Sequence, residues 1–271
     1  MLVFPNAKIN LGLNILRKRA DGYHDISTVF YPIGLSEMLE ITLNDKSEIE
    51  WVNTGLPIDC EMEKNLVVKA YRMLDAQFNL PGVIMQLHKT IPFGAGLGGG
   101  SADAAFALVA LNEFFKLGLS KQELASFAAN LGSDCAFFVY NQACVASGRG
   151  EILSPIDFSL KGKHLLLITP QVHVSTAMAY AGVTPSIPPI LPEYIVQKDI
   201  QEWKDYLVND FEKSVFASFP ELKYWRDKLY EEGALYAAMS GSGSSLFGIF
   251  DQTPPVLQAT HHCFVWQGEL S

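Results

Sequence analysis

The sequence is short of charge: Asp, Glu, Lys and Arg make up 18% of its 271 residues. Lys and Arg number 20 against 29 Asp and Glu, a net charge of −9. That balance works against the broad basic surfaces that bind nucleic acid or anionic membrane, so neither partner is expected. A locally positive pocket for a small anion remains open to such a chain. Long apolar runs are also missing. The run Ala104 to Leu111 stops at Asn112, well short of the roughly 20 residues of a membrane span. Met1 to Leu11 has no basic region followed by an apolar stretch, so no secretory signal is expected. Cysteine is scarce: Cys60, Cys135, Cys144 and Cys263 form no C-x-x-C pair, and no histidine sits at zinc-finger spacing from them. Free, buried thiols are expected, with no dedicated metal cage. A cytoplasmic location fits these absences. Nothing in the sequence specifies an oligomeric state.

Hydrophobic residues make up 49% of the chain, enough for a sizeable core, and the length suits one large or two modest domains. Ala7, Ile9, Leu11, Leu13 and Ile15 alternate with polar residues and Gly12. Period two predicts a strand over 6–15 with one buried face, which sets Lys8 and Asn10 on the same side. Asp21-Gly22 predicts a turn, with strands to follow over 27–33 and 39–43. A helix is expected over 65–78, then a short strand over 82–87. Ser120 with Glu123 is a capping-box signature for a helix reaching Leu131 and ended by Gly132. Residues 154–162 read as a linker, 164–169 as a strand and 185–192 as a proline-rich loop. Helices are predicted near 200–218 and 221–232. A Gly-Ser turn at 240–245 should lead into a strand over 246–250, and 251–271 offers no motif. Strands and helices interleave in both halves, so the class is α+β or α/β.

The strongest chemical signal is Pro92-Phe-Gly-Ala-Gly-Leu-Gly-Gly-Gly-Ser-Ala102, followed at once by an apolar helix expected over 102–115. So many glycines are costly to order unless a backbone must curl around a ligand. The helix start behind them offers unpaired N–H groups and a positive dipole end, a phosphate-binding combination. Gly94, Gly96 and Gly99 also fit G-x-G-x-x-G. The acidic residue a dinucleotide fold needs about 20 residues later is missing, because Glu113 and Glu123 fall in predicted helices. No Gly-Lys-Ser/Thr closes the loop as a P-loop would, and the protein-kinase motif set is absent. Asp134, in Gly132-Ser-Asp134 ahead of an apolar run, is either a solvated turn residue or a paired carboxylate. Lys8 is either a surface lysine or part of a site. Ser240-Gly-Ser-Gly-Ser244 could pack beneath the first glycine loop.

Together these segments resemble the GHMP kinases. Ala7-Lys-Ile-Asn-Leu11 is similar to the family's lysine-bearing strand. Residues 92–101 are similar to its central glycine loop, and 240–243 to its late Ser/Thr-Gly-Ser/Thr-Gly turn. Arg19-Ala-Asp-Gly-Tyr-His24, the stretch 132–138 and Gly148-Arg-Gly-Glu151 resemble members whose acceptor alcohol carries a cytidyl diphosphate group. The resemblance implies an α+β, two-domain GHMP kinase fold. Its ribosomal-S5-like N-terminal domain would span 1–156 and its ferredoxin-like C-terminal domain 157–271, with the site in the cleft between them. It also implies phosphorylation of a small-molecule alcohol by ATP with Mg²⁺, on the non-mevalonate route to isoprenoid precursors. Asp134 would be the base and Lys8 its partner. Asn65 and the loop residues Pro92, Gly94, Ala95, Gly96, Leu97, Gly98, Gly99, Gly100, Ser101 and Ala102 would bind ATP. Asn10, Tyr23, His24, Phe30 and Tyr180 would bind the acceptor, although plain core packing would also account for Tyr23 and Phe30. Asp103 stands where the family often carries Asn, and repulsion from phosphates predicts that its side chain points outward. A different alcohol acceptor, or a nucleotide-binding paralogue without turnover, stays open on the sequence.

Overall fold

A computed structural model describes residues 1–58, 60–255 and 263–271. Its strands are β1 (Leu2–Val3), β2 (Asn6–Lys18), β3 (His24–Ser36), β4 (Met38–Leu43), β5 (Glu50–Gly55), β6 (Val83–Lys89), β7 (Cys144–Gly148), β8 (Ile152–Pro155), β9 (His164–Pro170), β10 (Tyr236–Met239), β11 (Leu246–Phe250) and β12 (Cys263–Glu269). Its α-helices are α1 (Leu66–Phe78), α2 (Gly99–Phe114), α3 (Lys121–Leu131), α4 (Cys135–Tyr140), α5 (Thr176–Ala181), α6 (Pro192–Ile195), α7 (Trp203–Tyr206), α8 (Glu212–Ser218) and α9 (Pro220–Glu231). Among the described residues the strands form three sheets, ordered β1-β4-β6-β5, β2-β3-β7-β8 and β10-β11-β9-β12. The class is α+β.

Compactness groups the chain into two units, each discontinuous in sequence. One comprises Met1–Ala7, Leu35–Phe93 and Gly98–Gln142; the other comprises Lys8–Gly34, Gly94–Leu97 and Ala143–Ser271. In the first unit Leu39 and Ile41 of β4 alternate with exposed neighbours, and Val83, Met85 and Leu87 of β6 do the same. One sheet face is thereby buried. Helix α2 packs against α1, α3, α4 and β4. Its alanines and leucines are buried on most of its circumference, as expected of a central helix. Helix α3 begins at the expected place: the Ser120 hydroxyl accepts from the Glu123 amide, and the Glu123 carboxylate accepts from the Ser120 amide.

The second unit has its own core. Leu166 and Ile168 of β9 meet Leu246 of β11, Leu222 and Leu229 of α9, and Leu13 and Ile15 of β2. Helix α9 lies against β10 and β11. The segment beyond Asp251, where the sequence offers no motif, supplies β12, which pairs antiparallel with β9. Residues 256–262 of that segment lie outside the described residues. Half-buried Glu212 accepts from the Met239 amide at 2.7 Å, and desolvation pushes its carboxyl up to about 7.

Several expectations needed correction. Strand β2 is buried on both faces from Asn6 to Ile15, because its polar side chains are consumed by internal partners. No single helix covers 200–218. Residues 207–211 leave helical geometry and run beside β2: the Leu13 amide donates to Val208 O, and the Asp210 amide donates to Leu13 O. The apolar stretch after Asp134 forms α4, and β8 occupies the start of the expected linker. Cys135 and Cys144 are buried free thiols as expected, but Cys60 is exposed and Cys263 half-buried.

Ser120→Ala should remove the hydroxyl half of the α3 capping box, leave the residue-120 amide on Glu123, and lower stability by about 1 kcal/mol, measured by denaturant unfolding.

Candidate active site

The glycine loop is divided between the two compact units, Gly94–Leu97 in one and Gly98 onward in the other. In the unit that carries β2, the Lys8 amide donates to Leu97 O at 3.0 Å, which fixes the loop to the strand. The Ser245 amide donates to Ala95 O at 3.1 Å, and the Ser240 hydroxyl donates to Gly96 O at 2.9 Å. The late Gly-Ser turn therefore does pack on the first loop. Gly96 has φ +78, and a Cβ there would lie 2.0 Å from Ser240 O. Only glycine permits that approach.

Lys8 and Asn10 project from the same side of β2, as the alternation requires. The Lys8 ammonium donates to Asn10 Oδ1 at 2.6 Å and to Gly96 O at 3.3 Å, and sits 4.8 Å from the Phe30 ring centroid. Asn10 donates through Nδ2 to Thr28 Oγ1, while its amide donates to the Ser240 hydroxyl. Phe30 is 1% exposed and forms part of the core beneath Lys8. The other aromatic candidates differ from it. Tyr23 is 57% exposed and carries the Arg149 guanidinium 4.9 Å from its ring centroid. His24 stacks on Tyr180 with centroids 4.8 Å apart, and Tyr180 meets Phe211 edge-on.

In the other unit Gly98 caps α2 in a left-handed conformation, and the first helical bond runs from the Ala102 amide to Gly98 O. The amides of Gly99, Gly100 and Ser101 thus precede the helical ladder and face its positive end. Helix α2 starts earlier than the sequence suggested, so the last glycines of the loop are its first turn. Asn65 is the N-cap of α1, accepting from the Val67 amide at 2.8 Å. It lines a cavity of about 150 Å³ with Leu66, Val67, Phe93, Gly100 and Lys89. Pro92 enters the loop half-buried; Ala95, Leu97 and Ala102 are buried beneath it. Asp134 is half-buried at the start of α4 and does not cap that helix with its side chain. Burial pushes the neighbouring Cys135 thiol up to about 11; a hydrogen bond with Ser101 opposes the rise and Asp134 adds to it.

Asp103 overturns its expectation. It is 3% exposed and points inward, accepting from Lys89 at 2.9 Å, while Glu37 accepts from the same ammonium at 2.5 Å. Charge pairing replaces the solvent that an outward carboxylate would have used.

Comparison with known proteins decides the family. Residues 65–142 match the model of the GHMP kinases N terminal domain, and residues 193–260 that of the GHMP kinases C terminal. Over 273 aligned positions and 100% of both chains, the sequence is 51% identical to 4-diphosphocytidyl-2-C-methyl-D-erythritol kinase of Bacteroides fragilis. It is 48% identical to the kinase of the same name from Parabacteroides distasonis, again over 100% of both chains. The crystal structure of a 4-(cytidine 5'-diphospho)-2C-methyl-D-erythritol kinase aligns with TM-score 0.80 and 32% identity, over 92% of this chain and 90% of that one. The chain belongs to the GHMP kinases.

The N-terminal GHMP segment spans Asn65, the glycine loop and Asp134; the C-terminal one spans the Ser240 turn. Glu37, Lys89 and Thr28 are polar residues of this GHMP kinase that sequence reasoning missed. None lies in a glycine-rich or otherwise distinctive string, so only the pairing of distant segments exposes them.

Gly96→Ala should cost about 1–3 kcal/mol through left-handed strain and overlap with Ser240. Gly100→Ala, with nothing within 4 Å of the new Cβ, should be neutral or stabilising. Thermal unfolding of the two variants checks the contrast.

Proposed function

We propose that this chain transfers the γ-phosphoryl group of ATP to the 2-hydroxyl of 4-diphosphocytidyl-2-C-methyl-D-erythritol, in the non-mevalonate route to isoprenoid precursors. The observation that carries this is the 51% identity, over the whole of both chains, with a kinase of that name. Cytoplasmic residence belongs to the same proposal. So does the division into an N-terminal domain over 1–156 and a C-terminal domain over 157–271, a boundary between the two family segments.

Phosphoryl transfer is mostly positioning and charge stabilisation. The loop from Pro92 to Ala102 suits the ATP phosphates because its amides and the α2 dipole favour anions at that place. Asn65, Leu66 and Val67 suit the base side of the nucleotide, since they line a cavity next to Gly100. Mg²⁺ would neutralise charge on the phosphate oxygens. Such an ion is usually held by the phosphates with one or two protein oxygens rather than by a dedicated cage.

Asp134 has the role of general base, taking the proton of the 2-hydroxyl. Lys8 supplies a fixed positive charge, its ammonium positioned in part by Asn10 Oδ1 and Gly96 O. Asn10 orients the erythritol unit. Tyr23 retains exposed ring surface for cytosine, and His24 and Tyr180 form an aromatic wall whose polar edge can read the base. Phe30 supports Lys8 from below.

ADP release with Mg-ATP should appear with the cytidyl substrate and not with mevalonate, homoserine or galactose. Turnover of one of those alcohols instead would replace the acceptor. Asp134→Ala should lower kcat by about 10²–10⁴ with little change in KM for ATP, and an unchanged kcat would remove Asp134 from its role. Tyr23→Ala and His24→Ala should each raise KM for the cytidyl substrate more than KM for ATP. Equal effects on both would count against the aromatic pocket.

A further inference from the structure

Helix α2 is rooted on a charge cluster that the proposed reaction does not use. The Lys89 ammonium lies 2.5 Å from Glu37 Oε1 and 2.9 Å from Asp103 Oδ2, and none of the three side chains is more than 4% exposed. Fully ionised, the cluster would carry one uncompensated negative charge in the interior, which costs several kcal/mol. The second oxygen of each acid, Glu37 Oε2 and Asp103 Oδ1, is buried without a hydrogen-bond partner. A single proton on either acid removes the surplus charge and turns one acceptor-only carboxylate into a neutral carboxyl.

The surrounding titratable groups offer no other remedy. Lys64 and Cys60 line the adjoining cavity, and Lys64 pairs with Glu61 at 3.0 Å. Tyr71 of α1 donates its hydroxyl to Pro81 O, and His88 of β6 meets Thr54. The cluster also touches the start of the candidate phosphate site. A Cβ on Gly99 would lie 3.1 Å from Lys89 Nζ and 3.2 Å from Glu37 Oε1. Asp103 sits one turn further along the same helix.

We propose that Glu37 and Asp103 hold one proton between them across Lys89, and that this neutral cluster is the positioning element that seats the N-terminus of α2 for nucleotide phosphates. The second half rests on the assignment of residues 92–102 to ATP; the first half does not. Burial, then the Asp103 charge, pushes the Glu37 carboxyl up to about 7 against the pull of Lys89. Burial likewise raises Asp103. A carboxyl raised in the folded state favours the protonated form, so its stabilising effect is complete at low pH and is lost as pH rises through the folded value. Loss of the proton also leaves a negative charge beneath the loop, which disfavours phosphates.

The test compares the wild type with Asp103→Asn, which leaves a neutral Lys89–Glu37 pair. In ligand-free thermal unfolding between about pH 5 and pH 8, the wild type should lose stability more steeply than the variant. Glu212 shifts in the same direction in both proteins, so the difference between them is the readout. Wild-type KM for ATP should rise about three- to tenfold between about pH 6 and pH 8.5, the linkage of half to one pKa unit, and the variant should rise less. Infrared difference spectra should show a protonated-carboxyl band in the wild type at neutral pH that Asp103→Asn removes. Glu37→Gln, which leaves the Lys89–Asp103 pair, repeats the test if Asp103→Asn does not fold; if neither folds, a protonated-carboxyl band that persists in Glu212→Gln, which removes the other raised carboxyl, decides. Parallel unfolding profiles, or no such band, would overturn the shared proton. Differing unfolding profiles with parallel KM profiles would keep the proton and discard the nucleotide role. Absence of turnover with ATP would sink the kinase assignment while the unfolding comparison still decides the proton.

Discussion

The backbone approach of Gly96 to Ser240 is the constraint on which the candidate site depends. With the glycine in a left-handed conformation, Ser240 can donate to Gly96 O while accepting from the amide of Asn10. Ser240 is fully buried, so these bonds are made without competition from solvent. Through them a turn near the end of the chain, a strand near its start and a loop from its middle share one set of polar contacts. The place of Lys8 follows, since its ammonium is held by Asn10 and by the carbonyl of Gly96 itself.

Two lysines are buried, Lys8 and Lys89. The contacts of Lys8 include the Asn10 amide oxygen, the Gly96 carbonyl and the face of Phe30. Lys89 is met by two acids, Glu37 and Asp103. Burial alone would lower the Lys89 ammonium; Asp103 and Glu37 outweigh burial and raise it.

What was legible in the sequence is what local chemistry decides. The Ser120 capping box, the Asp21-Gly22 turn and the same-side placement of Lys8 and Asn10 depend on neighbours a few residues away, and all were read correctly. The close backbone approach at Gly96 is legible in the same way, because the entropy cost of so many glycines demands a structural reason. The failures share a cause. Asp103 was sent outward because its cation comes from another element and its fellow acid from an element further still; Glu37 and Lys89 are 52 positions apart. The break in 200–218 arises because residues 207–211 exchange helical bonds for bonds to β2. Cys60 was assigned to the interior on residue type alone, and the exposed segment that carries it decided otherwise.

The interleaving of the two compact units has a consequence for synthesis on the ribosome. Lys8–Gly34 is made early, yet the unit it belongs to is completed by Ala143–Ser271. Strand β3 pairs with β7, so Ile26 finds its partner Gly148 only after the entire intervening segment has been translated. The β2–β3 hairpin must therefore wait, with the β3 edge that meets β7 unpaired, while Leu35 to Gln142 is produced. Such long-range pairing slows folding and exposes strand edges to other chains. A truncated nascent chain ending near residue 142 would carry all of one unit and a stranded hairpin of the other, which makes it a natural client for chaperones.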